Sequence, residues 1–189
     1  MRTLRVISGT AGGLHLKSVP GDIVRPITDR VKEALFNIID PDIYGASFLD
    51  LFSGTGSVGI EALSRGASYV RFVERHPLAV KTIRANLEHT KLTAGADVYH
   101  ADAFSMLKSG ADRDFDYIYI APPQYKRLWR QSLEVIDLEP AWLSDKSWVI
   151  VQIDPVEYEK LKMNFLREFD QRRYGSTLLV FFEHLAEGI

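Results

Sequence analysis

The chain has 189 residues, of which 46% are hydrophobic and 25% charged, with no cysteine and a formal net charge of −2. This composition is typical of a single globular domain over 1–189, and it excludes disulfides and thiolate metal sites. We expect a cytoplasmic protein without a membrane span or export signal, since no run approaches about 18 apolar residues.

The first 40 residues are predicted to form an arm and a helix ahead of a core over 41–189. RVISG and LHLKSV, around Gly12 and Gly13, predict a small β-hairpin. A helical face follows Thr28, a candidate N-cap, and consists of Val31, Ala34, Leu35, Ile38 and Ile39. Residues 1–32 carry six basic and two acidic side chains, a net charge of +4 against −6 for the rest. That imbalance is consistent with an ordinary solvated surface or with an arm that binds nucleic acid.

Strand-like segments alternate with helix-compatible ones along the middle of the chain, which predicts a parallel sheet covered on both faces. Pro77 suits the first turn of a helix whose Leu78, Ile83 and Leu87 face inward. A C-terminal antiparallel hairpin joined at Gly175 and Ser176 would complete a seven-stranded α/β sheet. The five earlier strands are FLDLF (48–52), YVRFVE (69–74), ADVYHA (96–101), YIYIA (117–121) and WVIVQ (148–152).

A glycine-rich loop, FLDLFSGTGSVGIEAL (48–63), contains a G-x-G-x-x-G pattern formed by Gly54, Gly56 and Gly59. The pattern alone fits a dinucleotide site, an S-adenosylmethionine site or plain strand-to-helix packing. Carboxylates at the ends of three successive strands favour a nucleoside cofactor. Asp50 could face a methionine ammonium and would repel a pyrophosphate, Glu74 could accept from both ribose hydroxyls, and Asp102 could accept from an adenine amine.

The segment YIYIAPPQY (117–125) ends a strand with two prolines and an aromatic residue. Pro122 offers a carbonyl oxygen and Tyr125 a ring on which a base can stack. The other interpretation of PPQY is a rigid loop after a strand. Lys126, Arg127 and Arg130 follow and are suited to phosphate contacts, although Arg130 also fits an ordinary charge on a helix surface.

Taken together, these segments resemble the bacterial 16S ribosomal RNA guanine-N2 methyltransferases of the RsmD type. The resemblance spans most of the chain, and it rests on RVISGTAGG, RPITDRVKEALFNII (25–39), FLDLFSGTGSVGIEALSRGA (48–67), FVE (72–74), DAF (102–104) and APPQY. It implies the class I methyltransferase (Rossmann-like) fold, S-adenosylmethionine as methyl donor, and ribosomal RNA or the small ribosomal subunit as partner.

The resemblance also implies roles for individual residues. Cofactor contacts would come from Asp50, Phe52, Gly54, Gly56, Glu74, Asp102 and Ala103. The base would be held by Ala121, Pro122, Gln124 and Tyr125. RNA phosphates would meet Arg2, Arg5, Lys17, Arg25, Arg30, Lys126 and Arg127. The five histidines show no spacing typical of metal ligands, so no metal is expected.

The chain departs from the family at Ala121, because the family motif D/N-P-P-Y/F has Asp or Asn there. An alanine methyl accepts no hydrogen bond, so we expect the Gln124 carbonyl or a backbone oxygen to supply the missing acceptor. Two other interpretations stay open: an RNA-binding relative without turnover, suggested by Ala121, and a nicotinamide oxidoreductase, which the glycine pattern alone permits. The sequence leaves the target nucleotide and the oligomeric state open.

Overall fold

The computed structural model describes residues 4–21, 27–40 and 42–186, so the predicted RNA ligands Arg2 and Arg25 lie outside the described residues. The chain divides into two compact units, Met1–Asp102 and Ala103–Ile189. The prediction of one domain with a boundary at residue 40 stays a prediction. No helix within the described ranges combines the length and apolar character needed to cross a bilayer.

The first unit contains three parallel strands in the order β3-β2-β1, with helices between them. In the β2–β1 and β2–β3 ladders, Asp50 lies opposite Phe72 and Glu74 opposite His100. The carboxyl ends of the three strands therefore lie at the same edge of the sheet. The elements are α1 (Asp29–Ile39), β1 (Ser47–Asp50), α2 (Ser57–Ser64), β2 (Tyr69–Glu74), α3 (Pro77–Thr90) and β3 (Ala96–His100).

The N-terminal arm forms the predicted small hairpin. The N–H of Val6 donates to the Leu14 carbonyl (2.9 Å) and the N–H of Leu16 to the Leu4 carbonyl (2.8 Å). Arg5 and His15 form an antiparallel bridge between these bonds. The hairpin is short, since no longer ladder flanks this bridge among the described residues.

Helix α1 begins as predicted, because the Thr28 hydroxyl accepts the Val31 N–H at 3.4 Å. Its buried face contains Val31, Leu35 and Ile39 as expected, but also Lys32 and Phe36, whereas Ala34 and Ile38 are only half-buried. A lysine on the apolar face was not anticipated, because the residues that balance its charge come from other parts of the chain.

Helix α3 begins at Pro77, as predicted. Ile83 and Leu87 are buried, but the prediction for Leu78 is wrong, since that side chain is 44% exposed. Leu78 and Ile83 are five positions apart, which at 3.6 residues per turn places them well apart around the helix. Ala79 and Val80 occupy the buried positions instead.

The second unit orders its strands β4-β5-β7-β6. Strands β4 and β5 are parallel, with Ile120 opposite Val151, and β7 is antiparallel to both β5 and β6. Gly175, with φ of 62°, lies in the β6–β7 turn, so the predicted hairpin is confirmed. The elements are α4 (Ala103–Lys108), β4 (Phe115–Ile120), α5 (Leu128–Leu138), β5 (Leu143–Ile153), β6 (Leu166–Tyr174) and β7 (Thr177–His184).

The seven strands form a mixed sheet with helices, which confirms the predicted α/β fold class. Predicted strand boundaries agree for β2 over 69–74, whereas β5 is 11 residues long and starts at Leu143. The predicted segment WVIVQ is only the more apolar second half of that strand. The earlier part, Leu143–Ser147, contains four polar residues that mask the strand pattern.

Candidate active site

The glycine loop connects β1 to α2, and glycine is required at its three glycine positions for different physical reasons. Gly54 and Gly56 have φ of 54° and 77°, in the left-handed region that side chains disfavour. Gly59 lies within α2, where an added Cβ would come within 2.3 Å of the Phe72 ring. The first two glycines therefore shape the loop, and the third lets α2 pack closely on β2.

Glu74 ends β2 and contacts this loop directly. Its Oε2 accepts the Gly54 N–H at 2.9 Å, and its Oε1 accepts the His76 N–H at 2.8 Å. The residue is half-buried. Each oxygen of an ionised carboxylate has a second lone pair, so both can still accept a hydrogen bond from a ligand hydroxyl.

Asp50 is buried, with 1% of its surface exposed, and its Oδ2 accepts the Gly59 N–H at 3.2 Å. Burial raises the pKa of this carboxyl to about 7; the Gly59 hydrogen bond works against the rise, and the nearby charge of Glu74 adds to it. A pKa near neutrality distinguishes Asp50 from a solvated strand-end carboxylate. Through Gly59, the carboxyl also anchors the first turn of α2.

The other predicted cofactor residues occupy two different settings. Asp102 is exposed two residues beyond β3, and the neighbouring Ala101 N–H donates to the Glu74 carbonyl at 3.1 Å. Phe52 is half-buried within the loop. Ala103 is the buried first residue of α4, in the second unit. In the first unit, the backbone contacts thus connect the loop, the end of β2 and the segment before Asp102.

Tyr125 lies in the acceptor loop, residues 121–127 between β4 and α5, and is hydrogen-bonded through both its backbone and its side chain. The Tyr125 N–H donates to Glu157 Oε1 at 2.7 Å, and its hydroxyl donates to Asp154 Oδ2 at 3.0 Å. Tyr125 has φ of 61°, an unusual value for a residue with a side chain, and it remains 67% exposed. An aromatic ring fixed in this way, yet open to solvent, is suited to stacking.

The remaining predicted base-binding residues lie in the same loop: Pro122 is buried, whereas Ala121 and Gln124 are half-buried. Sequence analysis missed Asp154 and Glu157. A signal was present, because DPVE follows the apolar run of β5 directly and polar residues after a parallel strand commonly lie at a ligand-binding edge.

The described cations predicted to meet RNA are all exposed. They are Arg5, Lys17, Arg30, Lys126 and Arg127. Arg5 makes an exposed ion pair with Asp29 at 2.9 Å. Arg130 pairs with Glu134 at 2.7 Å and with Glu159 at 3.1 Å, which favours its interpretation as a helix-surface charge.

The fold defines the class: it is that of the class I S-adenosylmethionine-dependent methyltransferases. An Escherichia coli structure described as a candidate methyltransferase, YhhF, superposes with a TM-score of 0.84 at 28% identity, covering 97% of this chain and 99% of that one. Methyltransferases solved with S-adenosylhomocysteine share the fold at TM-scores of 0.67 and 0.63, but their identities of 16% and 18% show the fold alone.

A family model described as Conserved hypothetical protein 95 matches residues 4–183. The chain belongs to this family, which is the RsmD-type family that its motifs resemble. A Bacillus subtilis relative, described as a candidate rRNA methyltransferase, YlbH, is 41% identical over 153 residues, covering 80% of this chain and 83% of that protein. Ribosomal RNA small subunit methyltransferase D of Haemophilus influenzae is 33% identical over 153 residues, covering 80% and 79%.

Proposed function

We propose that this protein is a cytoplasmic enzyme that methylates the exocyclic N2 amine of a guanine in 16S ribosomal RNA, using S-adenosylmethionine. Family membership supports methyl transfer, and the names of the relatives support ribosomal RNA as the substrate. The observation that carries the choice of a nucleobase is the Tyr125 ring, which is exposed but hydrogen-bonded at its backbone and at its hydroxyl. The nicotinamide alternative has no support from the family.

The residues at the strand ends of the first unit fit the cofactor. Glu74 would accept the ribose hydroxyls, Asp102 the adenine amine, and the charge of Asp50 would favour the methionine ammonium. The left-handed Gly54 and Gly56 let the ligand approach the backbone. When bound, S-adenosylmethionine supplies its methyl to the amine nitrogen, keeps the electrons of the broken C–S bond on sulfur, and the amine releases one proton.

Glu74→Ala should weaken S-adenosylhomocysteine binding by about 1.5–3 kcal/mol, the range for hydrogen bonds to a charged group. Calorimetry measures the change. Glu74 also holds the Gly54 and His76 N–H groups, so Glu74→Gln is the intermediate variant: it retains one acceptor oxygen, loses one of these two contacts, and should keep part of the affinity. An affinity equal to that of the parent in Glu74→Ala would remove Glu74 from the site.

On the acceptor side, the chemistry depends on positioning. A guanine amine is a poor nucleophile because its lone pair is delocalised into the ring, so the site must orient it and accept its hydrogens. The base must also leave structured RNA to reach a pocket. Stacking on Tyr125 would contribute roughly 1–3 kcal/mol, and the Pro122 carbonyl would offer one acceptor.

The basic arm is proposed to bind RNA phosphates. Replacing Arg2, Arg5 and Lys17 together by alanine should weaken RNA binding and flatten its salt dependence, since each lost phosphate contact lowers the slope of log K against log salt by roughly 0.7–0.9. Titrations at several salt concentrations measure this slope. Arg130→Ala is the control, because Arg130 is already paired with two carboxylates and should leave the slope unchanged. A triple variant with the parent's slope would contradict the proposal.

The function itself is tested with purified protein, labelled S-adenosylmethionine and 16S ribosomal RNA, followed by analysis of the modified nucleosides. N2-methylguanosine is the expected product. RNA binding without any methylated product would instead support the alternative of a relative that has lost turnover. A methylated base other than guanine would retain the enzyme class but overturn the proposed acceptor.

A further inference from the structure

We propose that the Asp154 carboxylate replaces the acceptor that is missing at Ala121 and receives a hydrogen bond from the amine of the target base. This inference rests on the proposed function. It assigns the role to a residue 33 positions beyond Ala121 along the chain, rather than to Gln124 in the same loop.

Topology brings Asp154 to the correct edge of the second unit. Strands β4 and β5 are neighbouring and parallel, with Ile120 opposite Val151. Ala121 immediately follows β4, and Asp154 immediately follows β5, which ends at Ile153. The two residues therefore leave the strands at the same edge, where open α/β sheets bind their ligands.

Contacts place the carboxylate beside the acceptor loop. Asp154 Oδ2 accepts the Tyr125 hydroxyl at 3.0 Å, and Oδ1 accepts the Val156 N–H at 3.1 Å. An ionised carboxylate has about four lone-pair positions, so these two bonds leave acceptor capacity on both oxygens. Asp154 is half-buried, which leaves it accessible to a ligand that reaches Tyr125.

The neighbouring candidates fit the role less well. One oxygen of Glu157 accepts the Tyr125 N–H, and the other is buried with no hydrogen-bond partner among the described residues, so Glu157 supports the backbone of the loop rather than facing a ligand. Gln124 carries one acceptor oxygen, but its NH₂ group also presents donors toward any base edge. Asp154 is an acceptor at both oxygens.

An acceptor-only group also suits guanine in particular. The Watson–Crick edge of guanine presents N1–H and the N2 amine, which are adjacent donors and match one carboxylate. Adenine presents a ring acceptor beside its amine, which a carboxylate repels. Asp154 would thus orient the amine and discriminate between the two purines. As the new N–C bond forms, the proton that the amine must release can pass to Asp154 and then to water.

The decisive experiment is a rescue. Asp154→Ala should lower kcat by roughly 5- to 150-fold, while the affinity for S-adenosylhomocysteine stays at the parent value. Adding Ala121→Asp to Asp154→Ala should restore most of the turnover, whereas Ala121→Asp alone should give little gain. Gln124→Ala should lower kcat by a smaller factor than Asp154→Ala does. An Asp154→Ala enzyme as fast as the parent, or one that Ala121→Asp fails to rescue, would overturn the inference.

Tyr125→Phe separates a direct role from an indirect one, because it removes only the hydroxyl that Asp154 accepts. If Asp154→Ala, Tyr125→Phe and the double variant all share one kcat, Asp154 acts only through Tyr125 and the inference is wrong. We expect a larger loss from Asp154→Ala. Binding gives an independent measurement: the parent should prefer a guanine-containing oligonucleotide over its adenine counterpart, and Asp154→Ala should lose that preference.

Folding and the proposed function are controlled separately. If the alanine variant does not fold, Asp154→Asn replaces it, because asparagine keeps an oxygen that can accept from Val156 or Tyr125. Asp154→Asn should show an intermediate kcat. A kcat equal to the parent's would contradict the inference. A parent protein that produces no methylguanosine overturns the proposed function. An active parent with an equally active Asp154→Ala variant overturns only the inference.

Discussion

Replacing Glu61 by glutamine should lower the free energy of unfolding by about 3–5 kcal/mol, the range for breaking a buried ion pair by removing one charge. Glu61 and Lys32 both have fully buried side chains, and Lys32 Nζ lies 3.4 Å from Glu61 Oε2. Burial lowers the pKa of Lys32, and the Glu61 carboxylate works against that shift. Without Glu61, the lysine would remain buried with only the weaker attraction of Asp29 to oppose its desolvation.

Glutamine is a demanding substitute because the described partners of the carboxylate are all donors. Oε2 accepts the Ile7 N–H at 2.7 Å, and Oε1 accepts the Ser8 N–H at 3.0 Å and the Arg65 Nε–H at 2.9 Å. With Lys32 on the Oε2 side, an NH₂ group on either side would meet N–H groups. The loss of charge is therefore accompanied by an unsatisfied donor.

Urea denaturation of Glu61→Gln, Lys32→Met and the double variant tests this account. The double variant should be less destabilised than the sum of the single variants, because it leaves no uncompensated Lys32–Glu61 charge. Glu183→Gln is the matched control, since Glu183 pairs with Arg167 at an exposed position and should cost less than about 1 kcal/mol. A Glu61→Gln loss as small as that of the control would contradict the prediction.

Contacts with α2 also explain the sequence RVISGTAGG in the N-terminal arm. Gly9 has φ of 83°, and an added Cβ would lie 1.8 Å from the Ser64 carbonyl oxygen, so only glycine fits there. The Ala11 N–H donates to the Ser64 hydroxyl at 2.9 Å. Glu61 and Ser64 both belong to α2, the helix that follows the glycine loop. The arm is thus attached to the helix that also shapes the proposed cofactor site.

Local patterns in the sequence predicted what local physics determines. The N-cap at Thr28, the start of α3 at Pro77 and the β6–β7 turn at Gly175 each depend on neighbouring residues, and all are confirmed. The glycine spacing likewise predicted the position of the loop. It could not distinguish its three glycines, because the role of Gly59 depends on Phe72 in another strand.

The missed features depend on contacts between distant segments. Lys32 is buried because Glu61, 29 positions away, lies beside it. Hydrophobic periodicity does not predict an ion pair between distant segments. Asp154 was overlooked because its contact with Tyr125 follows from the β4–β5 pairing. The inward prediction for Leu78 is wrong because the phase of α3 directs that side chain outward.

Replacing Asp50 by asparagine should raise the free energy of unfolding at pH 8 by as much as about 4 kcal/mol. The carboxyl has a pKa of about 7 in the folded protein against an ordinary value of 3.8, because burial disfavours its charged form. Each pH unit between these values corresponds to about 1.4 kcal/mol. Asparagine retains an oxygen for the Gly59 N–H but carries no charge to desolvate.

The sign of the pH dependence follows from proton binding. Between pH 4 and 7 the folded protein keeps a proton that the unfolded chain has lost, so the Asp50 contribution makes the parent less stable as the pH rises. The gain from Asp50→Asn should therefore be near zero at about pH 4 and complete above about pH 7. Urea denaturation at both ends of this range measures it, and a gain independent of pH would contradict the assignment.

Asp137 provides the contrasting control. It is also buried, but its carboxylate accepts three backbone N–H groups, from Asn164, Phe165 and Leu166, together with the Asn164 side-chain amide. Asp137→Asn should therefore destabilise the protein, because an NH₂ group would face those donors. Asp50 accepts a hydrogen bond only from Gly59 among the bonds described for its carboxylate, so the same substitution should act in the opposite direction.

A stabilising substitution at Asp50 should weaken the proposed cofactor site, because asparagine offers no negative charge to the methionine ammonium. We expect calorimetry at pH 8 to show weaker S-adenosylhomocysteine binding by Asp50→Asn while its resistance to urea increases. The loss should be smaller at pH 6, where protonation already neutralises much of the parent's Asp50. Affinity that is unchanged at both pH values would leave Asp50 with the role of anchoring Gly59 alone.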